Sequence, residues 1–281
     1  MFYKIENEFL TCEIDDMGAQ LHSLKSKENG TEYIWQGNPD IWYGQAPVLF
    51  PVIGQLINDK YFYNGVEYTM PKHGLARKLL FNVKECEGAK AVFSLESDEN
   101  TLKAYPFKFE YLVSFELKGK TLVNTMTVVN KTNGEMYFSV GAHPAFNCKV
   151  GDIIEFEQTE TLATERIDKE NLIIPEKFPF MENEKSFVIT KEIFEPDALI
   201  LSDIKSEKLR IKGENEIEFT FGKCPFLGIW AKPGAPYVCI EPWYGVNDGR
   251  EVKKDISEKR GIERLEEGGT FEFSWTAEII K

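Results

Sequence analysis

A histidine followed by proline and a glutamate followed by proline are the residues of this chain best suited to moving protons. The first lies in Ser139-Val140-Gly141-Ala142-His143-Pro144-Ala145-Phe146-Asn147, the second in Val238-Cys239-Ile240-Glu241-Pro242-Trp243-Tyr244-Gly245. Proline pushes the residue before it into extended backbone. His143 and Glu241 are therefore each expected at the end of a strand, with their directions fixed. An imidazole and a carboxylate presented in this way meet the needs of two-group acid–base chemistry. Each also has a plainer explanation: a strand-end ring bonded to backbone for His143, and a buried carboxylate paired with Lys or Arg for Glu241.

The chain has only three histidines. His22 sits in a strand-like segment with nothing around it to mark a site, so it is expected to be ordinary. His73, in Met70-Pro71-Lys72-His73-Gly74-Leu75-Ala76-Arg77, is evenly balanced between packing a loop and touching a ligand, because the glycine allows close approach. A metal site built from His73, His143 and Glu241 or Asp197 is not required by the spacing, and none is expected. No glycine-rich phosphate loop opens a helix, so no nucleotide cofactor is indicated.

These side chains must be positioned by a β-rich scaffold. Phe107, Phe109, Tyr111, Val113, Phe115 and Leu117 alternate with Lys108, Glu110, Ser114, Glu116 and Lys118, which predicts a strand with one buried face. Lys118-Gly119-Lys120 then turns the chain so that 121–129 should pair back antiparallel. Asn64-Gly65 between two β-prone runs predicts a hairpin. Residues 9–14 and 20–24 read as two strands, 91–96 and 271–277 as further ones, and 217–221 as another. Shorter candidates lie at 153–156, 187–189 and 199–201. The stretch 37–54, rich in Pro, Gly and aromatics, predicts an ordered loop lining something. Thr101–Tyr105 suits one helical turn, and 251–267 an irregular excursion, since Gly261 interrupts it. Many short strands and few helices argue for an all-β sandwich or barrel.

Large all-β domains reach this size, so the 281 residues are expected to form one domain over 1–281. The 21 phenylalanines suit sheet faces. A net charge of −13 opposes binding to nucleic acid or anionic membranes. Without a signal-like start or a long apolar run, the protein is expected in the cytoplasm, as a monomer or homodimer. Five cysteines at scattered spacings suggest reduced thiols and no disulfide framework.

Gly141-x-His143-Pro144-x-Phe146-Asn147, His73-Gly74, Tyr105-Pro106-Phe107 and Ile240-Glu241-Pro242-Trp243, in that joint occurrence, resemble the aldose 1-epimerase family of the galactose mutarotase superfamily, closest to its LacX-like branch. The resemblance runs from Gly18-Ala19 to the Phe271–Trp275 segment. It implies a large antiparallel β-sandwich with few short helices, and interconversion of the α and β anomers of a hexose without a cofactor. By resemblance, Glu241 takes the C1 hydroxyl proton as an ionised base and His143, protonated at the start, protonates the ring oxygen. His73 and Asp197 would bind sugar hydroxyls. Trp230 and Trp243 would offer an apolar platform, a role balanced against that of core tryptophans. Where the family carries an arginine after Leu-Phe-Pro, this chain has Gln55, which would bind the sugar by keeping hydrogen-bonding capacity but lacks the charge-assisted fork to a sugar hydroxyl. Arg77 would compensate, or would bind the phosphate of a hexose 6-phosphate. Lys72 and Lys78, close by, read as solvated surface. The competing functions are a sugar-binding or regulatory sandwich without catalysis, and a glycoside hydrolase or lyase, for which a second persuasive carboxylate is lacking.

Overall fold

The computed structural model describes residues 1–250 and 255–281. Alternating sequence becomes sheet, as expected. Phe109–Lys118 buries every odd position from Phe109 to Leu117. It pairs with Thr121–Asn130 so that Leu122 faces Leu117 and Met126 faces Val113. Burying each such side chain is worth about 1.5–3 kcal/mol. A one-residue slip would turn five of them to solvent, a loss comparable to the roughly 5–15 kcal/mol net stability of an ordinary protein.

That hairpin belongs to a 15-stranded sheet in which the recorded strand pairings are antiparallel. Its path starts at Val48–Leu49 and passes through Val140–Ala142, Tyr237–Tyr244, Phe226–Trp230, Leu199–Leu201 and Ile153–Ile167. It continues through Lys208–Lys212, Glu216–Thr220, Thr270–Ile279, Thr121–Asn130 and Phe109–Lys118, and ends at Lys90–Glu96 and Asn82–Glu87. The two ends of the path meet. Phe50, next to the first strand, stacks on Tyr111 near the far end, with ring centroids 4.7 Å apart. Rings from distant strands close on each other in the same way at Phe146–Phe219, 5.5 Å. The sheet is therefore folded over an aromatic core, and the architecture is a large antiparallel β-sandwich.

Smaller sheets cap it. Phe2–Glu6, Leu10–Asp15 and Gln20–Ser26 form one of three strands, and Lys60–Tyr63 with Val66–Thr69 forms the hairpin predicted at Asn64-Gly65. Asn64 and Gly65 both take positive φ, as that turn demands. The helical turn expected at 101–105 is Thr101–Ala104. No helix among the described residues is long and apolar enough to cross a membrane.

Several elements differ from expectation. The strands expected at 153–156 and 187–189 are the ends of a long hairpin, Ile153–Ile167 with Ile173–Val188. Most of Ile173–Val188 faces solvent and its pairing shifts register four times, so no period-two pattern survives in the sequence. Within 251–267, the range 251–254 lies outside the described residues; beyond it are a single turn at Ile256–Glu258 and a short strand, Glu263–Leu265. Glu241 lies inside the strand Tyr237–Tyr244, not at its end. Pro242 is tolerated there because it lies opposite a break in the neighbouring strand. Val140–Ala142 pairs with Trp243 and Tyr244, Ala145–Asn147 pairs with residues 237–239, and His143-Pro144 occupies the gap between them.

Candidate active site

That gap creates the site. His143 leaves the sheet where its strand is interrupted, and Glu241 projects from the adjoining strand, so their side chains meet. His143 Nε2 lies 3.4 Å from Glu241 Oε2, and both residues are buried. This is an ion-pair distance and is longer than a well-formed hydrogen bond. His143 Nδ1 has no protein partner among the described residues. Trp243 Nε1 donates to Glu241 Oε2 at 3.2 Å. Its indole fits because Gly228 stands across from Glu241; a Cβ there would lie 2.7 Å from the ring.

Loops complete the surround. His73 and Gly74 both take positive φ, 65° and 76°. His73 N donates to the Gly54 carbonyl at 2.9 Å, and Gly54 N donates back to His73 Nδ1 at 3.1 Å. With Nδ1 accepting, neutral His73 carries its proton on Nε2 and is a hydrogen-bond donor. Its ring stands edge-on to His143, 5.9 Å between centroids. Gly74 allows this loop to close, since a Cβ there would sit 2.2 Å from the Phe50 carbonyl oxygen. Gly74→Ala is accordingly expected to lower the melting temperature by several degrees and to disturb the site, as circular dichroism melts would register.

Aromatic rings line the pair. Trp42 stacks on His143 at 5.2 Å and 25°, Trp230 meets the same imidazole edge-on at 5.9 Å, and the two indoles touch at 5.3 Å. Trp230 therefore belongs to the lining, whereas Trp243 acts through its bond to Glu241. Trp42 was not singled out from sequence; its signal was the aromatic loop expected to line something. His22 is structural: its Nδ1 meets Gln45 Oε1 at 2.7 Å.

The charged residues divide unevenly. Lys72 is not solvated surface. Its ammonium donates to Asn171 Oδ1 at 2.7 Å, at the tip of the long hairpin, and feels the carboxylates of Asp197 and Glu241. Burial lowers its pKa, and those two carboxylates oppose the shift. Asp197, with φ 71°, uses Oδ1 to accept from Ala198 N at 2.7 Å. Arg77 lies near Tyr43 and close enough to both His73 and His143 to disfavour their protonation. Its buried Nε has no partner among the described residues. Gln55 is turned elsewhere: its amide nitrogen donates to Asp59 Oδ1 at 2.6 Å and to the Leu56 carbonyl at 3.0 Å.

Burial sets the protonation of the pair. Desolvation drives the Glu241 carboxyl well above the usual carboxylate range, against the hydrogen bond from Trp243 and the charge of Lys72. Desolvation likewise brings His143 down to about 3 and His73 well below its ordinary value. Burial thus disfavours the charged form of both groups and works against the ionised starting pair implied by the resemblance. A separate cavity of about 590 Å³, bordered by Leu56, Tyr61, Ile173, Arg250 and Arg260, contains neither His143 nor Glu241.

Comparison with known proteins places this geometry in a lineage. The model of the family described as aldose 1-epimerase matches residues 1–243. The plasmid-encoded protein LacX of Lactococcus lactis subsp. lactis is 32% identical, the match covering 94% of this chain and 95% of LacX. A galactose mutarotase related enzyme from Lactobacillus acidophilus superposes with a TM-score of 0.95 at 32% identity, over 100% of this chain and 98% of that one. A galactose mutarotase-like protein from Lactobacillus casei gives 0.95 at 26%, over 99% of this chain and all of its own. Likeness of this extent in both sequence and fold assigns the chain: it belongs to the aldose 1-epimerase family.

Proposed function

We propose that the protein is an aldose 1-epimerase that interconverts the anomers of a hexose by opening and reclosing the ring. The observation that carries this reading is the 3.4 Å approach of the His143 imidazole to the Glu241 carboxylate in a buried, ring-lined site. Glu241, as carboxylate, takes the proton from the C1 hydroxyl, and the oxygen left behind forms the carbonyl. The C1–O5 bond breaks, its electron pair goes to O5, and His143 gives O5 a proton. Rotation about C1–C2 presents the other carbonyl face, and the same steps run backward. Each group regains its starting state.

The neutral pair favoured by burial and the ion pair needed for chemistry hold the same single proton. Passing it from Glu241 to His143 arms both groups at once. Sugar hydroxyls donating to the carboxylate favour that transfer, whereas the positive charge of Lys72 stabilises the carboxylate but opposes the imidazolium. His73 offers an N–H donor to the sugar, and Trp42 and Trp230 offer apolar faces that suit a pyranose.

A phosphorylated hexose is a second reading, favoured by one observation: Arg77 keeps a buried, unpartnered Nε near the site, with Lys72 also close. The test is NMR of freshly dissolved α-galactose, α-glucose and α-glucose 6-phosphate with catalytic amounts of protein. Accelerated approach to the anomeric equilibrium is expected for at least one sugar. Preference for the phosphate would select the second reading, and rates equal to buffer for all three would leave a binding protein without epimerase activity.

A further inference from the structure

The side chains around Glu241 include one that the epimerase reaction does not use. Residues alternate across a strand, so Cys239, Glu241 and Trp243 share a face of Tyr237–Tyr244. Cys239 Sγ, a nitrogen of His143 and a carboxylate oxygen of Glu241 all lie within 4.8 Å of one another, and all three residues are buried. Among the described residues no other residue holds either nitrogen of His143 in a hydrogen bond: Nδ1 has no partner there, and Nε2 only faces Glu241. All five cysteines are free thiols, so Cys239 is not held in a disulfide.

From these donors we infer a capture site for a thiophilic divalent cation such as Zn²⁺, held by His143, Cys239 and Glu241. Zinc takes nitrogen and oxygen ligands at about 2.0–2.2 Å and sulfur at about 2.3 Å in a tetrahedron, which sets neighbouring donors roughly 3.4 Å apart. The imidazole and carboxylate already stand at 3.4 Å. The thiol, within 4.8 Å of both, has to close by no more than about 1.4 Å to reach the same spacing. Charge also balances: a dication with one thiolate, one carboxylate and a neutral imidazole is neutral overall, which suits a desolvated position. Three protein ligands leave the fourth position open. The ion would tie up the proposed acid and base together, so occupancy is expected to stop ring opening. That last consequence rests on the epimerase reading; the binding itself does not.

The experiment titrates metal-free protein with Zn²⁺, and in parallel with Cd²⁺ to read the thiolate-to-metal charge-transfer band. One equivalent is expected to bind, with the band present. Loss of even an outer-sphere partner weakens metal sites about 10–100-fold. Cys239→Ala should therefore lose the band and weaken binding by about a hundredfold or more, and Cys239→Ser should behave similarly while keeping the wild-type melting profile. Zn²⁺ should inhibit anomer exchange by the wild type, reversibly with a chelator, and spare Cys239→Ala. Equal affinity in the wild type and Cys239→Ala, or a wild type with no band, would overturn the site. If the wild type has no epimerase activity, the band alone still decides the binding.

Discussion

Replacing Glu241 by Gln, or His143 by Asn, is expected to slow catalysed anomer exchange by about 10²–10⁴-fold, the usual contribution of one positioned acid or base. Both changes preserve shape and some hydrogen bonding, so the aromatic packing around them should survive. Trp243 can still donate to an amide oxygen at position 241, as it does to the carboxylate at 3.2 Å. The two groups share one proton and act as a unit, so the double variant should be little worse than the weaker single variant. Anomer exchange followed by NMR, with folding checked by circular dichroism, reads this directly. A near-normal rate in either single variant would remove that residue from the reaction.

Glu241→Gln should also be more stable than the wild type at neutral and higher pH, although its catalysed exchange is expected to be slow. A carboxyl whose folded pKa is raised holds its proton more tightly when folded. Its contribution to stability is complete below the unfolded value, about 4.3, and is lost as pH rises through the folded value. Glutamine does not titrate, so the advantage of the variant should be absent in acid and grow as pH rises. At this chain length each kcal/mol corresponds to about 2–4 °C in melting temperature. The sign for His143 is the opposite. Its folded pKa is lowered to about 3, so it costs nothing above roughly 6.5 and costs increasingly as pH falls below that. His143→Asn should therefore blunt acid destabilisation. Melting curves between pH 4 and 8 test both; a difference between Glu241→Gln and the wild type that does not change with pH would mean that Lys72 and His143 hold the carboxylate ionised.

Much of this molecule was legible where one face of an element is dry and the other wet. Phe109–Lys118 and its partner followed from alternation alone, and the turn at Asn64-Gly65 followed from its backbone demands. Ile173–Val188 did not, because a strand that is mostly exposed carries no contrast between faces. The His143–Glu241 pair was legible from two X-Pro pairs, but proline implied a strand end for both, and Glu241 is mid-strand because its neighbour is broken at His143-Pro144. Lys72 looked like surface charge because sequence cannot reveal that the tip of a distant hairpin folds over it. Gln55 held the position of an expected sugar contact, yet Asp59, four residues later, claims its amide. Cys239 was readable in principle, two residues from Glu241 on an alternating strand, but a thiol without a spaced partner gave no reason to count faces.

The proposed base lies inside a strand and the proposed acid in the two-residue break of the strand beside it, whereas His73, Trp42, Lys72 and Asp197 come from longer connecting segments. Chemistry and recognition are thus anchored to parts of unlike stiffness. If the proposed reaction holds, descendants of such a chain can exchange one sugar for another by rewriting loops, with the proton-handling pair inherited untouched.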